Sequence, residues 1–292
     1  MTDIYVSTTG IRGRKAVDVA VEYLEHGITG IELTGGSYDL NLKKNIKKLM
    51  GLANFSVHNY FPPPKVPFVF NLASDNEFIA KNSLLLAKKA IEIASEIESK
   101  FYSFHAGFLL DPQVDELGRS LGNRKLINQN HAELLFVNRV FELLDFAKKN
   151  GVSLLIENNV LTALNYKTFG CNPLLMVSPA QILNIMSLLP TEIGLLLDVG
   201  HLKVSSKTLD LDLLESYHLI SKLIKGYHLS ENSGLEDSNS CFNEDSWFWP
   251  LLNSGVEFYT VEVYNQKPQT LLGLSEMLKS INQSQGKTIG YL

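Results

Sequence analysis

Eight short apolar runs, each followed by a segment of helical period, predict an α/β chain closed into a single (β/α)8 barrel over residues 1–292. Loop lengths point the same way. Returns from helix to strand are short, whereas the strand-to-helix connections at 61–75, 107–128, 159–177 and 231–245 are long. In a barrel of this kind those connections crown one face, and sites are built there. An open doubly wound sheet is the alternative, but eight regular units favour closure.

The elements follow in order. IYVST (4–8) is the first strand, with helical period over 14–25. TGIELT (29–34) leads into 41–52. FSVHNY (55–60) leads into 76–98 through NYFPPPKVPF, a connection stiffened by four prolines. FYSFHA (101–106) precedes 129–149, which Gly151 stops. VSLLIEN (152–158) precedes 178–189, whose Ser178-Pro179 start reads as an N-cap and first-turn proline. IGLLLDV (193–199) precedes 210–223, and KGYHLS (225–230) precedes 246–254 with Gly255 beyond it. EFYTVEVY (257–264) precedes a last pattern near 269–282.

A chain that is 45% hydrophobic and 20% charged has enough apolar material for one sizeable core. Its net charge of −5 leaves no basic surplus to track a phosphate backbone, which argues against a nucleic-acid partner. Cys171 and Cys241 lie far apart without CxxC spacing, so they make neither a disulfide framework nor a zinc knuckle. A reducing cytoplasm is the simplest compartment. The opening MTDIYVSTTGIRGRK lacks the apolar core of a signal peptide, and no stretch approaches a membrane span. The stretch SWFWPLL sets Trp247 and Trp249, half-buried, near the crowned face, where they suit a pocket wall or a homo-oligomer contact.

The strand ends carry the chemistry. The third ends on His58, the fourth on His105 and the fifth on Glu157. The sixth ends on Asp198 with His201 beyond it, the seventh on His228 and the eighth on Glu262. The remaining histidines, His26, His131 and His218, fall in helical segments and read as surface or cap residues. A single histidine at a strand end is more often a hydrogen-bonded core residue than a ligand. As a set these residues share one rim, where unpaired carboxylates would repel one another unless a divalent cation neutralised them. Mixed carboxylate and imidazole ligands suit Mn, Zn, Co or Fe, and Mg less well.

LLIEN, LLLDVGH, GYHLSEN and TVEVY resemble the metal-binding segments of the xylose isomerase-like TIM barrels. That group includes ketose 3-epimerases, hydroxypyruvate isomerases, inositol-pathway isomerases and dehydratases, and endonuclease IV. The resemblance implies that Glu157, Asp198, His228 and Glu262 hold one divalent ion. His201, in D-x-x-H spacing, would orient a substrate oxygen or take a second metal. For the sugar branch it further implies a ketose whose carbonyl is polarised by the ion, with Glu157 and Glu262 as the two acid/base groups. A base on each face gives epimerisation, and one base working across the enediol gives isomerisation.

Phosphodiester cleavage in the style of endonuclease IV is the alternative. His58 and His105 also sit where that enzyme places ligands, and FVFNLASDNEFIAKNS (68–83) resembles its third-strand connection. A third metal there would need a D-x-H pair, whereas this chain has Asp237-Ser238-Asn239. The sugar reading is preferred on that ground. A barrel that binds metal or ligand without catalysis is the third reading, weakened by the intact Glu157 and Glu262 pair. The rim also carries cations that suit an anionic tail: Lys203 just past His201, and Arg119, Arg124 and Lys125 in GRSLGNRK. A solvated cluster accounts better for the last three.

Overall fold

The computed structural model describes residues 2–10, 13–252 and 255–286. Eight parallel strands close into one barrel in the order β1 to β8. They are β1 Asp3–Ser7, β2 Gly30–Leu33, β3 Asn54–His58, β4 Phe101–His105, β5 Ser153–Glu157, β6 Gly194–Asp198, β7 Ile224–Leu229 and β8 Phe258–Val261. β8 pairs with β1 through Ile4–Tyr259 and Val6–Val261, which completes the ring. All eight predicted strands are present, and the (β/α)8 expectation stands.

The helices are α1 Ala16–Glu25, α2 Leu42–Lys47, α3 Glu77–Glu96, α4 Gln129–Lys149, α5 Ala163–Phe169, α6 Pro179–Ser187, α7 Val199–Thr208, α8 Leu213–Ile220 and α9 Pro268–Gly286. Asparagine caps start α3 and α4: the Asn76 side chain accepts from Phe78 N and Ile79 N, and that of Asn128 accepts from His131 N. Ser178 caps α6 with Pro179 in its first turn, as the sequence predicts. Two helices go beyond the sequence pattern. α5 lies inside the long connection after β5, and α7 begins where β6 stops. The pattern at 246–254 forms only a 3-10 turn, Trp249–Leu251, and positions 253 and 254 fall outside the described residues. Among the described residues no helix is long and apolar enough to cross a membrane.

Strand alternation sorts the side chains onto two faces. One parity, with Val6, Ile31, Val57, Tyr102, Ile156, Leu197, Tyr227 and Val261, joins the large core between barrel and helices. The other faces the barrel axis. Its lower layer is a separate apolar cluster of Tyr5, Phe101, Leu155, Leu196 and Phe258. Above that floor the same parity carries Glu32, Ser56, His58, Ser103, His105, Glu157, Asp198, His228 and Thr260. Gly226 lies against the floor, where an added Cβ would come within 2.7 Å of the Phe258 ring.

Candidate metal centre

The strand ends deliver their side chains to the top of the barrel axis. Ligand atoms of Glu157, Asp198, His228 and Glu262 all lie within 4.8 Å of one another, and all four residues are buried. Those of His58, His105 and Glu157 do the same, so Glu157 belongs to both groups. Its Oε2 is 3.1 Å from His58 Nε2 and 3.4 Å from His105 Nδ1. Its Oε1 is 3.4 Å from His201 Nδ1 and 3.6 Å from His228 Nδ1.

The D-x-x-H spacing has a local cause. Asp198 is both the last residue of β6 and the N-cap of α7, so its Oδ1 accepts from His201 N at 2.7 Å. The same turn aims the His201 ring back at the site, where Nδ1 meets the Asn158 carbonyl at 2.8 Å. Asn158 in turn grips the end of β6, donating to Asp198 O and accepting from Asp198 N. His201 Nε2 faces Asp237 Oδ2 at 3.2 Å. Asn239 sits at the D-x-H position flagged in the sequence. Its amide, oriented to donate, reaches Asp237 Oδ2 at 3.3 Å.

Glu262 is held differently from Glu157. Its Oε2 lies 2.8 Å from His228 Nδ1, and its Oε1 accepts from Tyr264 OH at 3.3 Å and Thr9 Oγ1 at 3.4 Å. His58 Nδ1 pairs with Ser103 Oγ at 2.9 Å, which leaves Nε2 facing Glu157. Glu32, a residue the strand-end reading missed, sits one layer below and meets His228 Nε2 at 3.0 Å. A signal for it was available: Ile31 and Leu33 belong to the helix-facing parity, so Glu32 between them had to face the axis.

The protonation of these groups follows from that crowding. Burial raises the Glu157 carboxyl, but His105, His228 and His58 outweigh it and hold the group well below the usual carboxylate range. Burial pushes Asp198 up to about 8. His201 opposes that rise, while Asp237, Glu157 and Glu262 add to it. Burial lowers His105 to about 4. The same burial acts on His228 and is overcome by Glu32, Glu262 and Glu157, which set it well above the ordinary imidazole value.

The donor set fits a divalent cation. Glu157 Oε2, Asp198 Oδ2 and His105 Nδ1 are buried without a hydrogen bond. Such buried atoms are costly to leave unmet, and a cation at either ligand group would take their lone pairs. Two of the rim's cations are engaged within the chain. Lys203 Nζ donates to Glu231 and, at 2.6 Å, to the Asn232 carbonyl. Arg124 pairs with Glu116. Trp247 and Trp249 are half-buried against the core, as expected.

Closed barrel and rim together define a (β/α)8 protein whose C-terminal mouth carries groups able to hold a divalent ion. The family model described as the xylose isomerase-like TIM barrel matches residues 21–281, and the chain belongs to that family. The resemblance read from the strand-end motifs therefore holds at family level. Among solved structures, a D-tagatose 3-epimerase-like protein is 18% identical with a TM-score of 0.70, covering 99% of this chain and 100% of its own. An L-ribulose 3-epimerase is 12% identical with a TM-score of 0.69, covering 99% and 98%. A Thermus thermophilus protein soaked with ZnCl2 is 18% identical with a TM-score of 0.63, covering 96% and 99%. At these identities the likeness is one of fold. No curated protein matches the chain in sequence.

Proposed function

We propose that this protein is a divalent-metal-dependent isomerase or epimerase of a small sugar or sugar derivative. One observation carries the reading: Glu157, Asp198, His228 and Glu262 bring ligand atoms within 4.8 Å of one another at the mouth of the barrel. Sugar epimerases among the proteins of like fold add support. These four residues would hold the ion, which is Mn, Zn, Co, Fe or Mg. Such an ion supplies Lewis acidity to a carbonyl and stabilises the negative charge left when the neighbouring carbon loses its proton.

The chain's own residues do the rest. Glu262 is the more adaptable of the two acid/base carboxylates, because among the described residues its Oε1 meets two hydroxyls, those of Thr9 and Tyr264, whereas Glu157 is ringed by imidazoles. It takes the proton from, or returns it to, the sugar carbon on its side. Glu157 serves the opposite side while its oxygens remain among four imidazoles. His201, braced by Asn158 and Asp237, orients a substrate oxygen. Lys203, engaged with Glu231, braces the connection after β7 in this reading instead of binding an anion.

The test combines metal analysis of the purified protein with solvent-deuterium incorporation into a panel of ketoses and ketose phosphates. Metal-dependent incorporation into one of them is the expected result, and none across the panel defeats the reading.

A second reading, metal-dependent phosphodiester cleavage, rests on the His58, His105 and Glu157 group, which suits a second ion sharing Glu157. Against it stand the net charge of −5 and Asn239 in place of a third-site histidine. Nicking of abasic-site DNA with more than one ion bound per chain would move the assignment there.

A further inference from the structure

Glu32 is a carboxylate in the middle of β2, fully buried, with no place among the strand-end motifs. A buried carboxylate is costly unless its surroundings answer it. Three strands do so, and all on one oxygen. Oε2 is 3.0 Å from His228 Nε2 on β7, and accepts from Thr260 Oγ1 on β8 at 3.2 Å and Ser56 Oγ on β3 at 3.4 Å. Oε1 is buried with no hydrogen bond. An ion pair serving the fold alone would be expected to satisfy both oxygens.

The other ring nitrogen of the same histidine explains the arrangement. His228 Nδ1 faces away from Glu32 into the candidate centre, 2.8 Å from Glu262 Oε2 and 3.6 Å from Glu157 Oε1. An imidazole can ligate through Nδ1 only if its proton resides on Nε2, and a carboxylate accepting from Nε2–H fixes that tautomer. We propose that Glu32 is the positioning residue of the centre: it holds the Nε2 proton of His228, sets the plane of the ring and makes Nδ1 a stronger donor to the ion. Glu32 does not itself ligate the ion shared by Glu157, Asp198 and Glu262. This assignment rests on the metal reading above.

Glu32 also forms a group with His58 and His228, with ligand atoms within 4.8 Å of one another. If Glu32 were a ligand there, removing its charge would remove a whole ion. If it positions His228, the number of ions stays the same and their hold weakens. The test is zinc and cobalt binding by the full chain, as wild type and as Glu32→Gln, using competition with a chromophoric chelator and the visible spectrum of the cobalt form. The expected result is unchanged stoichiometry, a dissociation constant raised roughly 10- to 100-fold, and a shifted cobalt spectrum. The melting temperature of the chelator-treated proteins is recorded alongside. A structural role would move that temperature and leave the affinity alone.

Wild-type affinity in Glu32→Gln overturns the proposal, as does the loss of one ion equivalent. A wild-type protein that binds neither metal defeats the metal reading itself and this inference with it. Should Glu32→Gln not fold, Thr260→Val withdraws one donor from the same oxygen. It should weaken binding in the same direction by less, and unchanged affinity in that variant overturns the proposal.

Discussion

Leu155 and Glu157 lie two positions apart on one strand and both face the barrel axis, yet their surroundings have nothing in common. Leu155 joins a floor whose rings interlock, Phe101 against Phe258 at 5.2 Å and Tyr5 against Phe258 at 5.7 Å. Glu157 stands among four imidazoles. The floor is apolar, so the polar layer above it is answered by its own side chains, by the mouth and by whatever ion the mouth accepts. The difference teaches that the strand period supplies a direction and each layer supplies the chemistry. A dry floor is what makes the rim's carboxylates costly without a cation.

The largest break in this contrast is Glu157→Gln. It removes the one carboxylate common to both ligand groups, and should abolish detectable exchange of the substrate's α-proton and ion binding at micromolar metal, read by deuterium incorporation and metal analysis. Its fold, followed by circular dichroism, should survive. On the floor, Phe258→Ala should cost ~3–5 kcal/mol in denaturant unfolding through the cavity it leaves. Ion stoichiometry should be unaffected, which separates the two layers. Gly226→Ala, pressing a methyl on the Phe258 ring, should cost about 1–3 kcal/mol by overpacking in the same assay.

A pH series sharpens the rim. Asp198 is raised to about 8 in the ion-free protein, so below that pH it carries a proton that an ion must displace. Binding therefore releases a proton from Asp198 and a second from Nδ1 of His228, whose pKa is also raised, and it tightens as pH rises toward about 8, by about tenfold per unit for each proton displaced. Calorimetry in buffers of different ionisation enthalpy reads both effects. A flat affinity between about pH 6 and 8 would show that neither Asp198 nor His228 holds a proton the ion must displace. The smallest effect belongs to Lys203→Met, which breaks a part-exposed pair with Glu231 and should change stability by about 1 kcal/mol or less. Loss of turnover in that variant would return Lys203 to the substrate.

Much of this was legible in the chain. β-strands bounded by turn formers declare themselves by local apolar runs, and a strand's last residue marks the rim, so His58, His105, Glu157, Asp198, His228 and Glu262 could be read as one set. α7 could not. It contains Gly200 and the pair Ser205-Ser206, which resemble a loop until the Asp198 cap and its packing on β7 make them helical. The pattern at 246–254 erred the other way, its aromatics packing on the core from a 3-10 turn. Lys203 shows the limit of adjacency, since a side chain two residues past His201 turned to Glu231 on another connection.

By itself the sequence determined the eight-fold alternation, the parity of every strand and the residue types at each strand end, because these depend on contacts a few residues apart. Only the tertiary structure decided which oxygen faces which ring nitrogen. That Glu157 is shared, that Glu262 leans on Tyr264 and Thr9, and that Glu32 lies behind His228 are consequences of barrel closure. Closure carries Glu32 on β2 across the axis to His228 on β7 and Thr260 on β8, residues far along the chain, and no local rule carries information over that separation.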